Sequence, residues 1–224
     1  MKNNIFYTFT NKNDGNLAYH VDDKKENVDK NRFNLSKKYP FTIPNLRYMN
    51  QVHKDEVKII NKNSEFLIDS CDALITNEKN LPLMVMVADC IPVLLYDEIK
   101  GVIAAVHAGR NSTFLKITAK TAKKMIEKFN CKPENINAIL GPCIQKCCYE
   151  VSEELVKIVE TSFGKEFVNN RNIDLQQINK KQLNDLGIKN IKISEYCTKC
   201  SGDDYFSYRK SKKTGRFAGI IEIR

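Results

Sequence analysis

LMVMVADCIPVLLYD at residues 83–97 and GVIAAVHA at 101–108 decide the fold. Both are nearly unbroken apolar runs of strand length, rich in β-branched residues. That is the pattern of strands covered on both faces, since a half-wet strand would alternate apolar with polar. Working outward, VKII (57–60) and DALIT (72–76) precede them, and NAIL (137–140), KNIKIS (189–194) and RFAGIIEI (216–223) follow. Each is a short run bounded by charged residues or by breaks such as Gly141-Pro142, and each reads as a strand. Helical spacing predicts one helix from about Thr113 to Phe129, capped by Ser112, with Ile117, Thr121, Met125 and Phe129 on one stripe. Ser152 is positioned to cap a helix to about Phe163. Another helix, from about Asp174 to Leu186, stops at Gly187. The lysine- and asparagine-rich piece from Asp22 to Lys38 reads as a surface helix or loop with Val28, Phe33 and Leu35 inward. Strands and helices mix without strict βα alternation. The expected class is therefore α+β, a mixed β-sheet sandwich with flanking helices, as a single domain over residues 1–224.

The chain has 224 residues, 42% of them apolar and 28% charged, which excludes a disordered or fibrous protein. The most apolar stretch, 81–96, is broken by Asp89 and by prolines at 82 and 92, too short to span a bilayer. The start, MKNNIFYTFT, lacks the apolar core of an export signal, so a soluble cytoplasmic protein is expected, with no membrane partner. Net charge is +9, but only seven basic residues are arginine and the lysines are scattered. No basic stripe interleaved with aromatics appears, which argues against a nucleic-acid partner. Eight cysteines in a long chain of this kind point to reduced thiols or metal ligands rather than a disulfide framework.

With three histidines in the chain, each location is informative. His53 lies in NQVHKDEV before a strand, Asp89 and Cys90 end MVMVADC, and His107 falls at the end of IAAVHA. A thiolate with two neutral imidazoles is a good donor set for Zn²⁺ with an open fourth position. The same residues also read as a buried thiol with two hydrogen-bonded core histidines. A third reading makes Cys90 a nucleophile with His107 as base and Asp89 or Gln51 as orienter. Cys197 and Cys200 form a CxxC pair with no second pair of that spacing, so no structural zinc site is expected there. Cys147 and Cys148 read as small buried hydrophobes near a helix start.

NQVHKDEV, DALIT, LMVMVADCIPVLLYD, GVIAAVHAG, GPCIQKCCYEV, CT at 197–198 and FSYRKSKKTGR, in this order, resemble the YfiH/YlmD family, also called the laccase-domain or multicopper polyphenol oxidoreductase family. The likeness runs from about Phe6 onward. It implies an α/β sandwich related to cytotoxic-necrotizing-factor-type cysteine hydrolases. It also implies an enzyme on purine nucleosides: phosphorolysis of adenosine, inosine and methylthioadenosine, and deamination of adenosine. Partners would be nucleoside and phosphate, with a homodimer left open. The implied metal ligands are His53, Cys90 and His107, for zinc, with copper as the other candidate.

By the same resemblance, Arg32 of the Asn31-Arg32 pair is the expected phosphate ligand, through its bidentate fork. Asn16, in DGNLAYHV, is expected to reach substrate, with His20 beside it as a supporting residue rather than a fourth ligand. FSYR (206–209) reads as a strand directing Arg209 to the site or to a carboxylate. For deamination, Asp89 or Glu150 would carry the proton. A copper-dependent polyphenol oxidase would need more imidazoles than three histidines supply. Two departures stand out. HAGRNST puts Arg110 and Asn111 where the family has tryptophan and arginine, and the N-terminal segment is shortened to TNKNDGN.

Overall fold

Period-two alternation along the central strands sorts their side chains between two different cores, which is why these strands read as continuous apolar runs. The computed structural model describes residues 4–224. In chain order the strands are β1 (Ile5–Phe9), β2 (Arg47–Met49), β3 (Val57–Ile59), β4 (Leu67–Ile68), β5 (Ala73–Thr76), β6 (Leu83–Val87) and β7 (Ile91–Asp97). They continue as β8 (Val102–Ala108), β9 (Ile136–Leu140), β10 (Val168–Asn169), β11 (Asn172–Ile173), β12 (Asn190–Ile193) and β13 (Phe217–Ile223). The helices are α1 (Lys25–Lys38), α2 (Arg110–Phe114), α3 (Ile117–Phe129), α4 (Glu153–Ser162) and α5 (Leu175–Asp185).

Two mixed sheets face each other. One has the order β1-β13-β6-β2-β4 and the other β12-β9-β7-β8-β5-β3. Between them, Leu83, Val85, Val87 and Phe217 of the first pack on Leu74, Leu94, Ile103 and Ala105 of the second. The alternate residues Met84, Met86, Ala218 and Ile220 point the other way, against Leu35 of α1 and Leu17. On the far face of the six-stranded sheet, Val93, Leu95, Ala104 and Val106 meet Ile117 and Met125 of α3, Ile178 and Leu183 of α5, and Val159 of α4. The result is four layers, α–β–β–α, an α+β sandwich with flanking helices. Among the described residues no helix is long and apolar enough to cross a membrane.

Several local readings are corrected. The helix foreseen from Thr113 breaks into α2 and α3, because Lys116 adopts a left-handed conformation (φ 63°) between them. Gly109, not Ser112, precedes the first turn, and Ser112 is buried within it. Along α1 the inward stripe is Val28, Arg32 and Leu35, at i, i+4 and i+7, which rotates Phe33 out to 53% exposure. FSYR is a turn rather than a strand. By contrast, Ser152 caps α4 through the Leu155 amide and Asp174 caps α5 through that of Gln177. Gly187 ends α5 with a positive φ of 87°.

Candidate metal centre and its pocket

β7 and β8 pair antiparallel with Pro92 opposite His107, so the start of one strand and the end of the other lie side by side. His107 shares a face with Ile103 and Ala105 and so points between the sheets, at the end where they open. Cys90 stands one residue before β7. His53, in the loop after β2, brings its ring to 4.6 Å from that of His107, edge to face. One ligand atom from each of His53, Cys90 and His107 lies within 4.8 Å of the others. Gly109 explains how the backbone comes so close. A Cβ there would sit 2.9 Å from the Cys90 sulfur and 3.3 Å from the His53 ring. Gly109→Ala is therefore expected to push the sulfur aside and lower the cluster's affinity for a divalent ion by about 10–100-fold, the loss usual when a ligand's support is disturbed. Competition with a chelating dye reads this; a wild-type affinity would refute the close-packing argument.

Asp72 is the residue that the reading of the sequence missed. Fully buried at the foot of β5, it accepts the His107 Nδ1 proton at 2.7 Å. The backbone amides of His53 (2.9 Å), Lys54 (2.8 Å) and Val52 (3.3 Å) also donate to it. Burial alone would raise its carboxyl, but the bond from His107 and these amides hold it below the ordinary carboxylate range. Asp72 thus fixes the orientation of the His107 ring, with Nδ1 on the carboxylate and Nε2 turned to the cluster, and it orders the His53 loop, whose residue 53 is left-handed at φ 58°. Asp89 and Gln51, the orienters expected from sequence, do other work. Gln51 pairs with both backbone groups of Met86.

Burial by itself would raise the Cys90 thiol and depress the His107 imidazole. Facing each other, with His53 also on the sulfur, they reverse this: Cys90 is lowered to about 6 and His107 raised to about 9. The sulfur is therefore an anion at neutral pH, ready for a soft or borderline divalent ion. The thiolate thus faces a protonated His107, and a divalent ion that took the place of the Nε2 proton would have one sulfur and two ring nitrogens as donors, a set that fits it.

The trio forms the floor of a cavity of about 600 Å³. Asp89 lies in its wall at φ 90°, a strained backbone for a non-glycine residue, held by the Thr198 hydroxyl (2.6 Å) and the Arg209 amide (2.7 Å). Arg209 reaches the cavity with its guanidinium 4.9 Å from the Tyr149 ring and bonded to the Glu150 carbonyl. Arg110 and Arg216 line it too, as does His20, whose imidazole is depressed by burial and by the cations of Arg216 and Arg32. The departure at Arg110 thus places a cation in the pocket. Asn111 next to it bonds the His53 carbonyl at 2.8 Å.

Two expected substrate contacts do not line this cavity. Arg32 is 2% exposed; its Nε and Nη2 both donate to the Leu17 carbonyl, and the Tyr19 and Tyr48 rings lie 4.3 and 4.2 Å from its guanidinium carbon. Its Nη1 has no hydrogen-bond partner; to hold phosphate Arg32 would first have to be uncovered, whereas Arg110, Arg209 and Arg216 already line the cavity. Asn16 is saturated: its amide donates to the Ala18 carbonyl and Asp23, and its oxygen accepts from the Ala18 and Arg216 amides. It positions Arg216 and has nothing left for a ligand. Glu150 does not line this cavity and pairs with Arg171 at 3.3 Å. The cysteines outside the trio also differ from expectation. Cys147 is exposed rather than buried, and the Cys197–Cys200 pair has the company of Cys147 and Cys148 after all.

Comparison with known proteins identifies relatives over nearly the whole chain. Residues 8–224 match the family described as multi-copper polyphenol oxidoreductase laccase. A protein of Corynebacterium glutamicum named purine nucleoside phosphorylase is 36% identical over 212 residues, covering 92% of this chain and 85% of its own. The crystal structure of Bacillus licheniformis hypothetical protein YfiH superposes with a TM-score of 0.93 at 26% identity, covering 98% of this chain and 93% of that one. YlmD from Geobacillus stearothermophilus gives 0.92 at 25% identity, covering 98% and 92%. The chain belongs to the multi-copper polyphenol oxidoreductase laccase family, the YfiH/YlmD group.

Proposed function

We propose that this protein is a zinc-dependent purine nucleoside phosphorylase, acting on adenosine, inosine and methylthioadenosine, that also deaminates adenosine to inosine. The observation that carries the reading is one cavity with the His53–Cys90–His107 cluster at its floor and Arg110, Arg209 and Arg216 in its wall. Its volume falls within the range of about 300–1,000 Å³ usual for small-ligand sites. The name of the Corynebacterium relative, purine nucleoside phosphorylase, supports the coarser reading of a purine nucleoside and phosphate as substrates.

His53, Cys90 and His107 hold the metal in this proposal, and a bound divalent ion supplies a Lewis acid that polarises an oxygen of substrate or water. Arg209 and Arg216 bind phosphate through their forked donors and present one oxygen to ribose C1′. The bond from C1′ to the purine nitrogen breaks as the C1′–O bond forms, leaving ribose 1-phosphate and the base, which takes up a proton. Tyr149 and Tyr208 offer ring faces to the purine. Asp89, already fixed by two donors, carries the proton from water to the departing ammonia in deamination.

Adenine release from adenosine is expected to require inorganic phosphate and to yield ribose 1-phosphate. Arg209→Ala and Arg216→Ala should each raise the KM for phosphate about tenfold or more, the worth of a hydrogen bond to a charged group. Base release at equal rate without phosphate would overturn the phosphorylase reading.

One observation favours a second reading. Cys90, His107 and Asp72 stand in the order nucleophile, base and orienter, with the Asp72–His107 bond at 2.7 Å. As a metal-free cysteine hydrolase the protein would keep its activity in chelator. The second imidazole on the sulfur, from His53, gives the metal reading its advantage. Two imidazoles in one cluster serve one ion, not the set of coppers a multicopper oxidase shares.

A further inference from the structure

We propose that Cys147, Cys148, Cys197 and Cys200 form a second metal site, a tetrathiolate zinc centre that clips together two loops of the cavity wall. The sulfurs of these four cysteines all lie within 4.8 Å of one another, and those of Cys147 and Cys200 are 3.5 Å apart. A tetrahedral ion with Zn–S bonds near 2.3 Å sets its sulfurs about 3.8 Å apart, so only a small contraction closes the cage. All four are free thiols.

The backbone around them is shaped for thiolate. The Cys197-x-x-Cys200 turn is closed by the Ser201 amide on the Cys197 carbonyl at 2.9 Å. Backbone amides of Gln145, Lys199 and Cys200 point at the Cys197 sulfur. Amides directed at sulfur disperse the negative charge that four thiolates bring to a divalent ion. On the other loop, a turn closed by the Cys148 and Tyr149 amides on the Gln145 carbonyl presents the adjacent Cys147 and Cys148.

The site also has a mechanical purpose. The two loops are already stitched by the Thr198 amide on the Cys143 carbonyl at 2.9 Å. From the first come Ile144 and Tyr149 of the cavity wall; from the second, Thr198 holds Asp89. An ion shared by both fixes these walls relative to each other without touching substrate.

Zinc stoichiometry by elemental mass spectrometry tests this on protein purified under reducing conditions. Two equivalents per chain are expected for wild type, and one for Cys90→Ser. One is also expected for Cys197→Ser/Cys200→Ser, and none for the triple variant. Should the double variant misfold, Cys90→Ser loaded with cobalt provides the second readout. The visible absorption of a tetrahedral cobalt–thiolate centre is expected there, and it should vanish when the exposed Cys200 is also changed to serine. The proposal is overturned by a single equivalent that disappears with Cys90→Ser and survives Cys197→Ser/Cys200→Ser. It is equally overturned by a Cys147–Cys200 disulfide in the reduced, zinc-supplied protein, or by cobalt-loaded Cys90→Ser that shows no thiolate band. None of these readouts depends on nucleoside turnover, so the fate of the phosphorylase reading is separate.

Discussion

Cys90→Ser is expected to slow phosphate-dependent release of adenine from adenosine by about 10²–10³-fold, the usual loss when a charge-stabilising group is removed from an active site. Serine fills nearly the same space, so the fold should persist and the melting temperature should change little. What disappears is the anion. A thiol poised at about 6 is ionised at neutral pH, while a serine hydroxyl is not. The two-imidazole remainder is a weak site, and His107 loses the negative charge that held its imidazole near 9. The variant alone does not separate a metal ligand from a nucleophile, because both readings lose activity. Chelation separates them: wild type dialysed against a strong chelator should lose activity and regain it with added zinc. Full turnover in chelator would discard the metal and leave the Cys90–His107–Asp72 hydrolase standing.

Asp72→Asn should damage both function and stability. The carboxylate touches no substrate, so its effect on turnover comes through His107, and loss of such a supporting partner typically costs about 10–100-fold. Its effect on stability is large because it is fully buried and takes four donors. Breaking a buried charged pair costs about 3–5 kcal/mol, which urea melts at neutral pH would reveal. The pH dependence has a definite sign. The native carboxyl lies below its ordinary value, so its contribution is fully present above the unfolded value of about 3.9. That contribution is lost as pH falls through the native value, and the variant should show a shallower acid limb. An Asp72→Asn variant with wild-type melts and an unchanged acid limb would mean that Asp72 is not what secures this corner.

Much of the sandwich was legible because β6, β7 and β8 are apolar on both faces, and no helix of their length explains that run. His53, Cys90 and His107 were legible as polar groups beside strand ends in a chain poor in histidine, but the residues alone left metal, nucleophile and buried-core readings open, and the family resemblance chose among them. Other features escaped for physical reasons. Arg32 occupies an inward position of α1 that sequence assigns to Phe33, because two tyrosine rings and the Leu17 carbonyl receive most of its guanidinium, although its Nη1 is left without a partner. The break at Lys116 is a single left-handed residue with no glycine to announce it. Asp72 reads as a charged boundary before an apolar strand, although the chain turns it inward to collect donors from the His53 loop. The pairing of Cys147-Cys148 with Cys197-x-x-Cys200 joins segments far apart in the chain and leaves no periodic trace. Spacing rules see ligands within a turn, whereas this cage is assembled by a parallel contact between Cys143 and Cys197.

The position of β13 bears on how the protein is made. It lies between β1 and β6, pairing Phe9 with Gly219 and Val87 with Phe217, so strands from opposite ends of the chain meet side by side. During synthesis the nascent sheet must wait with its middle rung missing and the oily flanks of β1 and β6 uncovered, a late closure across nearly the whole chain. A ribosome stalled before codon 217 would therefore release a client for chaperones rather than a weakened enzyme.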